Sequence, residues 1–240
     1  LVAARGAWAR ASCGAEWVSL LDGGLGAWVR AKRPVVDAPS PPRARALDIP
    51  RFPANPHFLA TLRDVQAASE GASRGKSLLD VRSIEEYSGE KHDYPYPLPN
   101  GRIPGAALFR WGSSTYRGGL LADATTGVLR GAVASVAALP PGGIIFYCGS
   151  GWRSSLAWCI ARISGVDNVQ NFDGGFMEWA YVESSNAIEV GRLERPVCAV
   201  ASARPCECDG SQLEACGASM RANRMEPADH SGVKELRLSI

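Results

Sequence analysis

This sequence has no apolar run that approaches the roughly 20 residues a helix needs to cross a bilayer, so no membrane partner is expected. It also lacks a dominant charge. Its 26 Lys and Arg stand against 24 Asp and Glu, and a net +2 is too small to serve as an electrostatic footprint for nucleic acid. Histidine is scarce: His57, His92 and His230 are scattered and suggest neither a metal site nor a triad. Nor is there an even, regular set of cysteines. Cys13, Cys148, Cys159, Cys198, Cys206, Cys208 and Cys216 are odd in number and irregular in spacing. That argues against a disulfide framework and favours a reducing compartment, cytoplasmic or mitochondrial. The chain opens on Leu1 with no signal-peptide pattern. It is read as a piece of a longer protein, which leaves localisation open.

What is present is enough apolar residue, 46%, for a real core, and an internal repeat. Leu21-Asp22-Gly23-Gly24-Leu25-Gly26-Ala27-Trp28 matches Phe172-Asp173-Gly174-Gly175-Phe176-Met177-Glu178-Trp179. Running the alignment back pairs Val18 with Val169 and Gly14 with Gly165, and Arg10 with Arg162 to within one residue. The position matching Cys148 would precede Leu1. Residues 1–36 are therefore expected to be the C-terminal remnant of an upstream copy: a helix, a strand and the start of another helix. A piece of that size cannot form its own core, and it is expected to pack loosely or detach.

Seven prolines between Pro34 and Pro56 mark residues 37–56 as an extended linker. Residues 57–186 then alternate strand-like and helix-like runs. Thr61 with Asp64, and Ser83 with Glu86, have capping-box spacing ahead of helical stretches. Ser77–Val81 and Gly143–Tyr147 are short apolar runs of the kind that form buried parallel strands. Val128–Leu139 and Arg153–Ser164 have helical composition. The predicted class is α/β, a parallel sheet flanked by helices. Residues 187–240 are expected to form a disordered tail, poor in large apolar residues. Its Cys198, Cys206, Cys208 and Cys216 are spaced Cys-x7-Cys-x-Cys-x7-Cys, unlike the Cys-x2–4-Cys knuckles of structural zinc sites. No metal and no cofactor are expected.

The chemistry is expected at Cys148. An apolar strand ends at Tyr147 and a helix begins near Arg153, which puts Cys148 at a strand's carboxyl end, the usual ligand position in open α/β sheets. Gly149, Ser150 and Gly151 let the backbone curl so that several N–H groups can form an anion cradle. The following helix directs its positive end to the same place, and Arg153 adds a charge. Surroundings of this kind favour the thiolate, the competent nucleophile. Cys159, inside that helix, is expected to be a packed core residue. Trp152 is expected either to shield the sulfur from water or to pack beneath the loop.

Cys148-Gly149-Ser150-Gly151-Trp152-Arg153-Ser154 resembles the active-site loop of the rhodanese family, Cys-x-x-Gly-x-Arg-Ser. Leu79-Asp80-Val81-Arg82 with Glu85-Glu86-Tyr87 resembles its Asp-x-Arg strand and helix. Gly101-Arg102-Ile103-Pro104-Gly105-Ala106 resembles its Gly-His-Ile-Pro-Gly-Ala signature, with Arg102 in place of histidine, and Asp173–Trp179 resembles its closing motif. The resemblance is strongest to the last domain of multidomain thiosulfate sulfurtransferases. There Tyr147–Arg153, Gly105-Ala106 and Trp111-Gly112 all find counterparts, and tandem domains are usual.

The resemblance implies a rhodanese-like fold over 57–186 and a ping-pong sulfur transfer. Cys148 would take a sulfane sulfur from thiosulfate and pass it from a persulfide to cyanide, a thiol or a sulfur-accepting protein. Gly149, Ser150, Gly151, Trp152 and Arg153 would bind the donor. Arg82 is a second candidate for that task, with a structural ion pair to Asp80 as its alternative. Related phosphatases place five residues between cysteine and arginine, whereas this loop has four, a smaller ring that suits sulfur better than phosphate. Mercaptopyruvate sulfurtransferases resemble Cys-Gly-Ser-Gly-Val-Thr and agree through Gly151 only. Arg153 favours the more anionic donor. A non-catalytic binding module is the remaining alternative, although such domains commonly lose the cysteine that this one keeps.

Overall fold

The computed structural model describes residues 1–15, 17–21, 24–37, 55–72, 75–91, 94–95, 97–109, 142–163, 165–182, 186–191 and 235–239. The expected helix at 128–139, Trp111-Gly112, most of the linker and the four tail cysteines lie outside these residues.

Among the described residues, five parallel strands make the main sheet. In chain order they are β2 (Leu59–Ala60), β3 (Ser77–Asp80), β4 (Ala107–Leu108), β5 (Ile144–Tyr147) and β6 (Val169–Phe172), and their spatial order is β2-β6-β5-β3-β4. β5 lies between β6 and β3 and is buried along its whole length. Its alternate residues feed two cores. Ile144 and Phe146 join one, together with Leu79, Val169 and Trp158. Ile145 and Tyr147 join the other, with Val65, Ile103, Phe172, Phe176 and Trp179. A parallel sheet covered on both faces explains why these strands read as unbroken apolar runs rather than alternating ones.

Both capping boxes form. Thr61 caps α3 (Leu62–Ser69) with Asp64, and Ser83 caps α4 (Ile84–Ser88) with Glu86. After β5 comes α5 (Trp152–Ile163), buried without interruption from Ser154 to Arg162, and after β6 comes α6 (Gly175–Val182). A helix buried all round needs cover on the side away from the sheet. That cover is the N-terminal segment.

Residues 2–12 form α1 (Val2–Ser12), followed by β1 (Trp17–Leu21) and α2 (Gly24–Arg30). The order and spacing repeat those of α5, β6 and α6. Gly14 and Gly165, with φ of 85° and 82°, turn the chain alike, as do Gly24 and Gly175 at 56° and 59°. The expectation of loose packing is corrected here. Ala4, Ala7, Trp8 and Ala11 stand at helical spacing on one stripe, and all are buried in the core that α5 shares. Trp8 Nε1 donates to the Phe58 carbonyl at 3.0 Å, and the Cys159 thiol to that of Ala4 at 3.5 Å. The segment is too small for a core of its own, so it joins that of its neighbour.

The tail is corrected in two places. Glu235–Ser239 is a strand, β7, antiparallel to β1 from Trp17↔Ser239 to Leu21↔Glu235, with Leu238 buried beside Val18. Its alternating Glu-Leu-Arg-Leu-Ser pattern is strand-like, and that signal sits beyond a long polar stretch. Residues 186–191 are also placed. Arg102 and Glu189 exchange backbone hydrogen bonds, and the Arg102 guanidinium pairs with the Glu189 carboxylate and donates to the Gly191 carbonyl at 2.8 Å.

Candidate active site

Cys148 follows the last residue of β5 and is 1% exposed. Its backbone is held from the far side. The carbonyls of Cys148 and Gly149 accept from the amides of Phe176 (2.7 Å) and Met177 (2.9 Å) at the start of α6. Gly175, with φ of 59°, makes this approach possible: a Cβ there would lie 2.5 Å from the Cys148 carbonyl oxygen. Gly151, with φ of 76°, turns the loop into α5, where Ser155 N donates back to its carbonyl at 3.1 Å. The first amides of such a helix have no carbonyl within the helix to bond. The Ser154 hydroxyl reaches the Cys148 sulfur at 3.6 Å, a contact given no weight from sequence although Ser154 stood inside the recognised loop.

Gly149, Ser150, Gly151, Trp152 and Arg153 therefore lie together around the cysteine. Two of them have surroundings that the sequence does not show. Trp152 stands partly in solvent. It is 44% exposed at the first position of α5, with the Arg5 guanidinium 5.7 Å from its ring centroid. Arg153 does not stand as an open charge. Its two terminal nitrogens donate to both oxygens of Glu86 at 2.7 and 2.8 Å, and a further hydrogen bond goes to the Tyr94 hydroxyl.

Glu86 does two jobs. It is the third helical residue of the α4 capping box, accepting from Ser83 N at 3.0 Å, and it is the buried counterion of Arg153. Burial opposes its ionisation, but the Arg153 hydrogen bonds and charge outweigh that and hold the carboxyl below its ordinary value. Tyr94 was missed from sequence. Its ring fills the space a side chain at Gly149 would need, and burial, followed by the nearby Cys148, raises its hydroxyl pKa well above normal.

Arg82 is buried, its guanidinium 5.8 Å from the ring centroid of Tyr147, the residue before Cys148. Its guanidinium donates to Asp80 through Nε (3.0 Å) and Nη2 (2.7 Å) and to the Gly101 carbonyl (2.7 Å), and it lies 4.3 Å from the Phe176 ring centroid. The ion pair with Asp80, the structural alternative for this residue, is what the fold contains. Cys159 is buried in α5 and its thiol is pushed up to about 12 by that burial, as a packed core residue should be. Cys13, Cys148 and Cys159 are free thiols. Among the described residues no group of His, Cys, Asp and Glu could hold a metal ion.

Comparison with known proteins agrees with this geometry. Residues 62–181 match the model of the rhodanese-like domain. The thiosulfate sulfurtransferase YnjE of Escherichia coli (strain K12) is 34% identical over 179 residues, which cover 70% of this chain and 39% of YnjE. The sulfur carrier protein TtuD of Thermus thermophilus is 32% identical over 174 residues, covering 68% of this chain and 58% of TtuD. Among solved structures, YnjE superposes with a TM-score of 0.65 at 29% identity over 79% of this chain and 46% of that one. The protein EanB, captured as a cysteine persulfide with ergothioneine, gives 0.66 at 28% identity, over 79% of this chain and 45% of that one. The chain thus spans well under two thirds of the length of these relatives. With its parallel sheet, its cysteine loop between β5 and α5 and its closing turn before α6, the chain belongs to the rhodanese-like domain family.

Proposed function

We propose that the chain is a sulfurtransferase whose Cys148 takes a sulfane sulfur from thiosulfate and hands it to a thiophilic acceptor. The observation that carries the reading is the placement of the Cys148 sulfur. It lies at the carboxyl end of the central strand, before the N-terminus of α5, with the Ser154 hydroxyl on it. The thiolate attacks the outer sulfur of thiosulfate, an S–S bond forms, and the bond to the sulfonate breaks with release of sulfite. The Cys148 persulfide then loses its outer sulfur to cyanide or a thiol, which regenerates the thiolate. The amides of residues 149–153 support the persulfide and the anionic donor as a preorganised cradle. Arg153, fixed by Glu86 and still partly exposed, is better placed than the enclosed Arg82 to meet the donor's charged end.

The names of the relatives support the same class. YnjE is a thiosulfate sulfurtransferase, and TtuD, a sulfur carrier, favours a protein acceptor as a further partner. The structures of EanB add a persulfide on a related fold. The test is intact mass after incubation with thiosulfate, beside Cys148→Ser. A gain of one sulfur that cyanide removes, and that the variant lacks, is the expected result. A gain with mercaptopyruvate alone moves the chain to the other donor class. No gain with either in folded protein overturns the reading in favour of a binding module.

A further inference from the structure

The guanidinium of Arg5 meets the Cys148 loop from outside the 57–186 domain. Arg5 lies on α1, and α1 packs against α5. It forms an ion pair with Asp173, whose turn joins β6 to α6. Its charge lies 5.1 Å from the Trp8 ring centroid and 5.7 Å from that of Trp152. A side chain at Gly151 would collide with three atoms: the Asp173 carbonyl, the Asp173 carboxylate and the Arg5 terminal nitrogen. The outer corner of the loop, Gly151-Trp152, is thus roofed by a salt bridge between the N-terminal helix and the closing turn.

We propose that Arg5 is a positioning residue for the Cys148 loop, and that its pairing with Asp173 sets how readily the loop admits an anionic sulfur donor. The proposal rests on the sulfurtransferase reading for the nature of that donor. Among the described residues, Arg153 is already balanced by Glu86 and Arg82 by Asp80. The Arg5–Asp173 pair is less enclosed, with side chains 23% and 39% exposed. Gly151 is three positions beyond Cys148, so their α-carbons are at most about 11 Å apart. In about 0.01 M salt the Debye length is roughly 30 Å, so a charge over Gly151 is little screened at the sulfur. Removing Arg5 leaves the Asp173 carboxylate, which Glu178 already faces, without its cation beside the loop, a repulsive charge. Removing the charge of Asp173 instead leaves Arg5 unbalanced, an attractive one.

The experiment compares alkylation of Cys148 by iodoacetate, an anion, and by iodoacetamide, its neutral analogue, read by peptide mass. It uses the full chain and the variants Arg5→Ala, Arg5→Lys and Asp173→Asn. A purely structural disturbance changes both rates together, so the readout is their ratio. Arg5→Ala is expected to lower the iodoacetate-to-iodoacetamide ratio roughly three- to tenfold in low salt. Arg5→Lys should recover part of it, because it keeps the charge but loses the planar fork that meets Trp152. Asp173→Asn should raise the ratio, and it keeps the test decisive if Arg5→Ala fails to fold. Ratios that agree across all four proteins overturn the proposal, as does a wild-type Cys148 that neither reagent reaches. The same chains are assayed for persulfide formation from thiosulfate. A flat ratio beside normal persulfide formation removes the role of Arg5 alone. A responsive ratio without persulfide removes the sulfurtransferase reading alone.

Discussion

Glu86→Gln is the perturbation that tests how the site is held together. The wild-type carboxylate is buried and accepts three hydrogen bonds: from Ser83 N at 3.0 Å and from the Arg153 terminal nitrogens at 2.7 and 2.8 Å. Glutamine keeps the volume and one acceptor oxygen, but it turns an NH2 donor towards other donors and removes the counterion of Arg153. Losing a hydrogen bond between charged groups costs about 1.5–3 kcal/mol. A fully buried ion pair broken on one side costs about 3–5 kcal/mol. Arg153 is 23% exposed, so water recovers part of this, and about 2 kcal/mol is the expected loss. For a chain of this size that lowers the melting temperature by about 4–8 °C. The pH dependence gives an independent check. The folded-state pKa of Glu86 lies below the unfolded value, so its stabilisation is fully present above the unfolded pKa. It is lost as pH falls through the folded pKa. The stability difference between wild type and variant, from urea unfolding monitored by circular dichroism, should be constant near pH 7 and shrink as pH falls below about 4.5. A difference under about 0.5 kcal/mol at pH 7, or one that grows on acidification, would refute this account of the pair.

Amides of α1 should show strong protection from hydrogen exchange, comparable to that of α5, because its stripe lies in a shared core. Trp8→Phe should cost about 1 kcal/mol in urea unfolding by leaving the Phe58 carbonyl without its donor. Gly175→Ala should cost about 1–2 kcal/mol and slow sulfur loading in the mass assay, since φ of 59° is strained for alanine and its methyl presses on the Cys148 carbonyl. At pH 8 the native protein should keep Cys159 unlabelled by iodoacetamide while exposed Cys13 reacts, and denaturant should abolish the difference.

Local chemistry was legible in the sequence wherever its partners lie a few residues apart. Ser83 and Glu86 announce a cap at a spacing of three, and the cap forms. Tyr147 ends an apolar run before a glycine-rich turn, and the strand ends there. The run of Arg153 into a helix was equally plain. What the sequence could not show is who answers a charge across the fold. Glu86 and Arg153 are 67 residues apart, Tyr94 and Arg153 are 59 apart, and nothing in either neighbourhood marks them as partners. Arg153 therefore read as an open cation when it is a neutralised one. The N-terminal segment failed for a related reason. Its stripe of Ala4, Ala7, Trp8 and Ala11 is visible at helical spacing, but a size argument asks only whether a segment can bury itself, not whether a neighbour has a helix to cover.

Arg102 carries this reasoning one step further, because it is the residue where the chain departs from the family signature. In the fold its guanidinium lies 4.4 Å from the Tyr87 ring centroid and reaches the Tyr87 and Gly191 carbonyls and the Glu189 carboxylate. Tyr87 in turn donates from its hydroxyl to the Ala106 carbonyl at 2.7 Å, and burial pushes that hydroxyl up to about 12. Gly101 beside it has no room for a side chain, since a Cβ would lie 2.5 Å from the Glu189 carbonyl and 2.6 Å from Ile188. The longer, five-donor fork of arginine spans this gap and ties residues 188–191 to the end of α4. Since α4, capped by Ser83, carries Glu86, that clamp bears on the helix whose carboxylate holds Arg153. The departure from the signature therefore acts on the architecture behind the site rather than on the sulfur itself.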